Sequence, residues 1–451
     1  MNVQRKSAEL LEEIPDSPHQ VNAPRPINVS ETGLSRSFLC DLLSKHLLNG
    51  RASTLADLAK TCALSGGIVE DIVADLRDEA RVEVLGRYEQ SNALRFALTE
   101  RGRSLALEAM LRSSYVGPAP VPLKTYARVV SAQSIHGHNV TKDMIDEVFS
   151  DVVVSKHIRE QLGLSMNSGK STFVYGSAGT GKTFLTSMLP ALFNDDVLVP
   201  YAVSVGETVL SIFDPLVHRA ITRTERTSLM LEEGFDERFV RTERPVVVTG
   251  GELTAEMLEI QYDSSTKEYL APLQLKANNG IFIIDDMGRQ RVSPSEIFNR
   301  WIVPLEEKTD YLALGSGRHF STPFDVVLVF STNMNPLDLA DEAFLRRIGY
   351  KIEFPCLTAS EYGKIWTDYC QKHGISLESD VLDYTINVLH ADSETPLLPC
   401  HPRDLLGMAV DQTKFQGLPK HVTKDHIGKA WNSYFVSVDT SELKSMSGRG
   451  I

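Results

Sequence analysis

The residues Gly176-Ser-Ala-Gly-Thr-Gly-Lys-Thr183 follow the apolar, β-type segment Thr172-Phe-Val-Tyr175 without a break, and a helical pattern continues to Leu189. A strand, a glycine-rich turn and a helix in immediate succession, with GxxxxGK[ST] spacing, force the backbone to curl so that consecutive N–H groups converge. Convergent amides at a helix N-terminus make an anion site. The fixed positions suit a polyphosphate. Gly176, Ser177, Ala178, Gly179, Thr180 and Gly181 form the curl, Lys182 can reach the β- and γ-phosphates, Thr183 offers a hydroxyl to Mg2+, and Phe184 continues the helix. ATP with magnesium is the expected ligand.

Such a metal needs a carboxylate from another strand. Gly280-Ile-Phe-Ile-Ile284 is an unbroken apolar run ending in Asp285 and Asp286, and open parallel sheets bind ligands at the C-terminal ends of their strands. Asp285 is expected to hold the metal together with Thr183, with Asp286 next to it at the same strand end. Further β-type runs at Val197–Val205, Val246–Val248 and Val326–Phe330 alternate with helical patterns. The expected fold class is therefore α/β, with a P-loop parallel sheet covered on both faces.

On the N-terminal side, Leu34, Phe38, Leu42, Leu43 and Leu47 recur at helical intervals. A second helix is expected over Thr54–Cys62 with Ser53 as its cap, and a third over Gly67–Glu79 with Ile68, Ile72 and Leu76 inward. Arg81–Gly86 and Leu94–Leu98 read as two strands around a polar turn, and Thr99 caps a further helix. That order resembles a winged helix. The expected organisation is a flexible lead-in (1–29), a winged-helix domain (30–113), a stiff proline-rich linker (114–139), an α/β core with hairpin insertions (140–356), a helical lid (357–436) and a loose tail (437–451). A helical region is expected from Tyr126 to Leu162. Hairpins are expected at Met257–Tyr262 with Glu268–Leu275, and at Tyr311–Leu314 with His319–Pro323.

The ordered motifs resemble those of the AAA+ ATPases, and within them the MoxR-like branch, most of all bacterial predicted ATPases with chaperone activity that carry an N-terminal winged helix. Phe324-Asp-Val-Val-Leu-Val-Phe-Ser-Thr-Asn333 is similar to the strand ending in a polar sensor, Asn333, which orients the lytic water. Asp341-Glu-Ala-Phe-Leu-Arg-Arg347 is similar to the segment bearing the arginine finger, with Arg346 or Arg347 as the finger, and His401-Pro-Arg-Asp404 to the lid motif whose Arg403 contacts the γ-phosphate. The resemblance spans about residues 140–436 and implies a homo-oligomeric ring, usually a hexamer, with active sites between neighbours. One departure concerns Asp286, which stands where many of these proteins place a glutamate that polarises the attacking water; aspartate stops roughly 1.5 Å short of that reach, so the water shifts or hydrolysis is slow.

What the chain acts on is less legible. A net charge of −13 disfavours general attraction to nucleic acid. The third N-terminal helix carries Glu70, Asp71, Asp75, Asp78 and Glu79 against Arg77 alone, whereas a groove-reading helix needs basic donors. An ATP-driven remodelling or chaperone-like motor on a protein client is the leading expectation. A DNA-directed ATPase using the winged helix and an ATP-binding switch with slow turnover are the alternatives. Tyr262 and Tyr269 on the first hairpin are candidates for gripping a polypeptide, and Arg289, Arg291 and Arg300 for a subunit interface. Five scattered cysteines without CxxC spacing indicate a reducing, cytoplasmic setting and no zinc module. No apolar run approaches the ~20 residues of a membrane span.

Overall fold

The computed structural model describes residues 23–50, 52–87, 93–221, 235–315 and 317–435. Most of the lead-in, the turn between the two N-terminal strands and the C-terminal tail lie outside them.

Five strands form the central parallel sheet: β1 (Thr172–Tyr175), β2 (Val246–Thr249), β3 (Gly280–Ile284), β4 (Val326–Thr332) and β5 (Tyr350–Glu353). Their order is β2-β3-β4-β1-β5, so the strand leading into the glycine loop sits between β4 and β5. The period of two along each strand divides the core. Phe173, Phe282, Ile284, Leu328 and Phe330 face one side, against Phe298, Trp301 and Phe344. Val174, Ile281, Ile283, Val327, Val329 and Ile352 face the other, against Leu162, Met166, Leu185 and Leu189. A sheet buried on both faces is why these segments read as continuous apolar runs.

One strand expectation and one helix expectation need correction. Val197–Val205 does not join the parallel sheet. It breaks at Tyr201 into Asp196–Pro200, paired antiparallel with Phe239–Glu243, and Ala202–Val205, paired with Thr208–Ser211. The fifth strand of the central sheet is instead Tyr350–Glu353, in which only Ile352 is fully buried. The expected helical stretch Tyr126–Leu162 is four pieces: helices Leu123–Ala132, Lys142–Val148 and Lys156–Ser168, and a 3-10 turn Ile135–Gly137. Thr141 and Ser155 restart it as N-caps.

The N-terminal unit packs helices Arg36–Gly50, Leu55–Cys62, Gly66–Asp78 and Glu100–Arg112 against a three-stranded antiparallel sheet made by Ser53–Thr54, Leu94–Leu98 and Val82–Arg87. Thr54, not Ser53, caps the second helix, because Asp57 three residues on completes a reciprocal capping box. Leu39, Leu42, Leu43, Ile68, Ile72 and Phe96 form its core. That core does not stop at the unit's edge: Tyr115, Ala119, Ala202 and Val209 belong to the same buried cluster. The proline-rich segment is stitched in as well, since Val121–Pro122 pairs in parallel with Val203–Ser204. Arg238 and Asp236, each 2% exposed, complete the join. The guanidinium grips Asp236 at 2.8 Å and donates to the carbonyls of Thr32 and Pro120.

Both expected hairpins are present but differently bounded. Gln261–Asp263 pairs with Glu268–Leu270, and Thr309–Ala313 with His319–Pro323. Met257 lies instead in a 3-10 turn, and Leu273–Lys276 is helical. The C-terminal part is a helical layer built on Tyr362, Trp366, Leu405, Leu406, Ile427 and Trp431. It includes a π-helical turn, Thr385–His390, and one short parallel pair, Ser376–Leu377 with His421–Val422. Among the described residues no helix is long and apolar enough to cross a membrane.

Candidate nucleotide site

Strand β1 delivers the loop 176–181 to the C-terminal edge of the sheet, and the helix Lys182–Met188 leaves from it. The curl depends on glycine. At Gly176 φ is 143° and an added Cβ would lie 2.4 Å from the Phe354 carbonyl oxygen; at Gly179 φ is 82° and it would lie 2.8 Å from Cys400 Sγ. Neither position accepts a side chain without displacing its neighbour.

Lys182 is 6% exposed. Its Nζ donates to the carbonyls of Gly176 (2.9 Å) and Ser177 (2.8 Å) and to Asn333 Oδ1 (2.7 Å). Burial pulls the ammonium below the usual lysine range, while Asp285 and Asp286 act to hold its proton. Asn333, just past β4, turns its other face to the acidic pair: Nδ2 donates to Asp286 Oδ1 at 3.2 Å. The expected lysine, polar sensor and candidate base therefore form one hydrogen-bonded chain. Thr180 ties the loop through Ser177, and the Phe184 ring is 57% exposed on the outer face of the helix.

Thr183 Oγ1 donates to Asp285 Oδ2 at 2.8 Å, and Asp285 Oδ1 is buried without a hydrogen-bond partner. A hydroxyl beside a carboxylate with an unmatched oxygen is a hard-oxygen donor set, and it fits a divalent cation such as Mg2+. The acidic turn is locked to both neighbouring strands: the Asp285 amide donates to Thr249 and the Met287 amide to Ser331. Asp286 itself lies in the left-handed region, φ 49°, which aspartate tolerates better than most side chains. Gln290, absent from the sequence reading, folds back over this turn.

The three arginines differ. Arg403 lies in the first turns of helix Cys400–Phe415, whose start abuts the loop through Cys400 and Leu398 at Gly179. Its side chain is 68% exposed and, among the described residues, pairs with its neighbour Asp404. Arg347 is held by Glu306 at 2.7 Å and by the Ala343 carbonyl, whereas Arg346 is 73% exposed, with a solvent-facing i,i+4 partner in Glu342. Among the described residues neither bonds to the phosphate loop of its own chain.

Other candidates resolve differently. Arg300 is committed internally to Glu259 and Asp310. Tyr262 is half-exposed and packs its ring 4.9 Å from that of Tyr269. His401 is buried against the rings of Tyr434 and Phe435, a core histidine, and burial pushes its imidazole down to about 4. All five cysteines are free thiols.

Residues 358–433 match a family described as a domain of unknown function, DUF8689. No curated protein matches the chain. Among solved structures, the Thermotoga maritima RuvB Holliday junction branch migration motor is similar at 12% identity, over 62% of this chain and 69% of that one, with a TM-score of 0.37. NtrX from Brucella abortus is similar at 13% identity, over 70% and 60%, with a TM-score of 0.39. Likenesses at this level leave the functional reading to the site itself.

Proposed function

We propose that this chain is an AAA+ ATPase of MoxR-like character that assembles into a homo-oligomeric ring, a hexamer by preference, and uses ATP hydrolysis in the cytoplasm to remodel a partner protein. The observation that carries the reading is the convergence of Lys182, Thr183, Asp285, Asp286 and Asn333 at the C-terminal ends of β1, β3 and β4. In this reading the loop amides and Lys182 orient and neutralise the terminal phosphates. Thr183 and Asp285 hold Mg2+, which supplies charge neutralisation when bound. Asn333 and Asp286 position and deprotonate the water, and Arg403 reaches the γ-phosphate from the lid. A guanidinium from the next subunit completes the charge balance; the free exposure of Arg346 favours it over the tethered Arg347.

The test is phosphate release alongside nucleotide binding. Asp286→Asn removes the base but keeps its size and its acceptor for Asn333, so turnover is expected to fall about 10²–10⁴-fold with ATP affinity retained. Unaltered turnover removes Asp286 from the base role.

A protein client is favoured over DNA by the third N-terminal helix, Gly66–Asp78, whose carboxylates include Glu70, Asp71 and Asp78 beside the Arg36–Asp75 pair. Fluorescence anisotropy of a labelled duplex with the full chain at ~0.15 M salt is expected to show no saturable binding. Saturable binding at that salt would favour the DNA-directed alternative.

A further inference from the structure

We infer that Gln290 is a positioning residue for the acidic pair, holding Asp286 in the backbone conformation that turns its carboxylate toward Asn333. This rests on the ATPase reading above and adds a residue to it. Asp286 has φ 49°, a left-handed conformation that costs energy even for aspartate and is held in place by its surroundings. The strand hydrogen bonds at Asp285 and Met287 fix the two flanks of the turn. The Asp286 carbonyl accepts the Arg289 amide at 3.0 Å within the turn, and among the described residues no backbone amide bonds to the Asp285 carbonyl.

Gln290 meets both. Its Nε2 donates to the Asp285 carbonyl at 2.9 Å and the Asp286 carbonyl at 3.2 Å, with a longer contact of 3.4 Å to the Gly250 carbonyl beyond β2. Its Oε1 accepts the Gly288 amide at 2.8 Å, closing the far side of the turn. One half-buried amide thus uses donor and acceptor together to bind four backbone groups around Asp286. Only a side chain with both functions can do this; glutamate at the same length accepts but cannot donate. Because Asp286 has little reach to spare, rotation of its peptide moves the carboxylate away from Asn333, and misplacement of about 1 Å costs on the order of 10²-fold in rate.

The experiment compares Gln290→Ala and Gln290→Glu with the wild-type chain. Four properties are measured: kcat and KM for ATP, affinity for a fluorescent ADP, melting temperature, and hydrogen exchange of the 286–290 segment. In both variants kcat is expected to fall at least about tenfold, with KM and ADP affinity within about twofold of wild type. The Gly288 amide of Gln290→Ala is expected to exchange several-fold faster. Unchanged kcat in Gln290→Ala overturns the assignment, and so does a parallel fall in kcat, nucleotide affinity and melting temperature, which marks a merely structural residue. If the wild-type chain does not turn ATP over, the ATPase reading is what fails. The clamp is then judged on exchange alone, and wild-type exchange in Gln290→Ala overturns it.

Discussion

Mixing two inactive variants, Lys182→Ala and Arg346→Ala, is expected to restore ATP turnover that neither shows alone. Lys182 is buried in the loop and bonded to Gly176, Ser177 and Asn333, so it serves the site of its own chain. Arg346 stands 73% exposed just past helix Glu342–Leu345, and its ion-pair partner among the described residues is the exposed i,i+4 carboxylate of Glu342. An exposed pair of that kind is worth little, so the guanidinium is free to be redirected by a neighbouring subunit. A guanidinium supplied across an interface is worth about 10³–10⁵ in rate. Each single variant should therefore be silent. In a randomly mixed ring, about a quarter of sites combine an intact Lys182 with an intact neighbouring Arg346. Phosphate release near that fraction of wild type is the expected reading. Arg347→Ala is the control: it loses Glu306 and the Ala343 carbonyl but should retain most turnover. No recovery on mixing, or silence in Arg347→Ala alone, would sink the assignment.

What could be read in advance follows from how each feature is encoded. The phosphate loop is contiguous, so spacing alone exposes it. Asp285, Asp286 and Asn333 are legible because each follows an apolar strand buried on both faces, and parallel strands present such ends at one edge. Strand β5 escaped notice because an edge position buries only Ile352, leaving Tyr350, Lys351 and Glu353 to read as loop. Val197–Val205 was recognisable as strand but not assignable to a partner: an apolar run declares burial, not pairing, and the break at Tyr201 divides it between two antiparallel neighbours. Gln290 is one polar residue in a loop, and nothing in its neighbourhood along the chain announces that it grips carbonyls beyond the ends of both β2 and β3. The join between the N-terminal unit and the core was hidden for a related reason: Arg238 meets Thr32 and Pro120 across 206 and 118 positions.

That join yields the largest expected loss of stability from a single substitution. Arg238→Ala leaves the Asp236 carboxylate, 2% exposed, without its counter-charge, and strips the Thr32 and Pro120 carbonyls of a donor. Breaking a buried ion pair from one side destabilises by about 3–5 kcal/mol, and each buried carbonyl left unmatched adds about 1 kcal/mol or more. The double substitution Arg238→Met with Asp236→Leu removes both charges together and is expected to recover much of that loss, because the desolvation penalty of the pair disappears with it. Chemical denaturation followed by tryptophan fluorescence, with limited proteolysis of the 114–122 segment, distinguishes the outcomes. In Arg238→Ala the first transition should move to lower denaturant and the segment should become cleavable, whereas a wild-type transition and intact segment would show that the apolar cluster through Tyr115, Ala119, Ala202 and Val209 holds the join unaided. The result also bears on how work is transmitted. Under the motor reading proposed above, a partner docked on the N-terminal unit would feel the nucleotide cycle through this join. A variant that keeps ATP turnover while the join is loosened would separate the motor from its load.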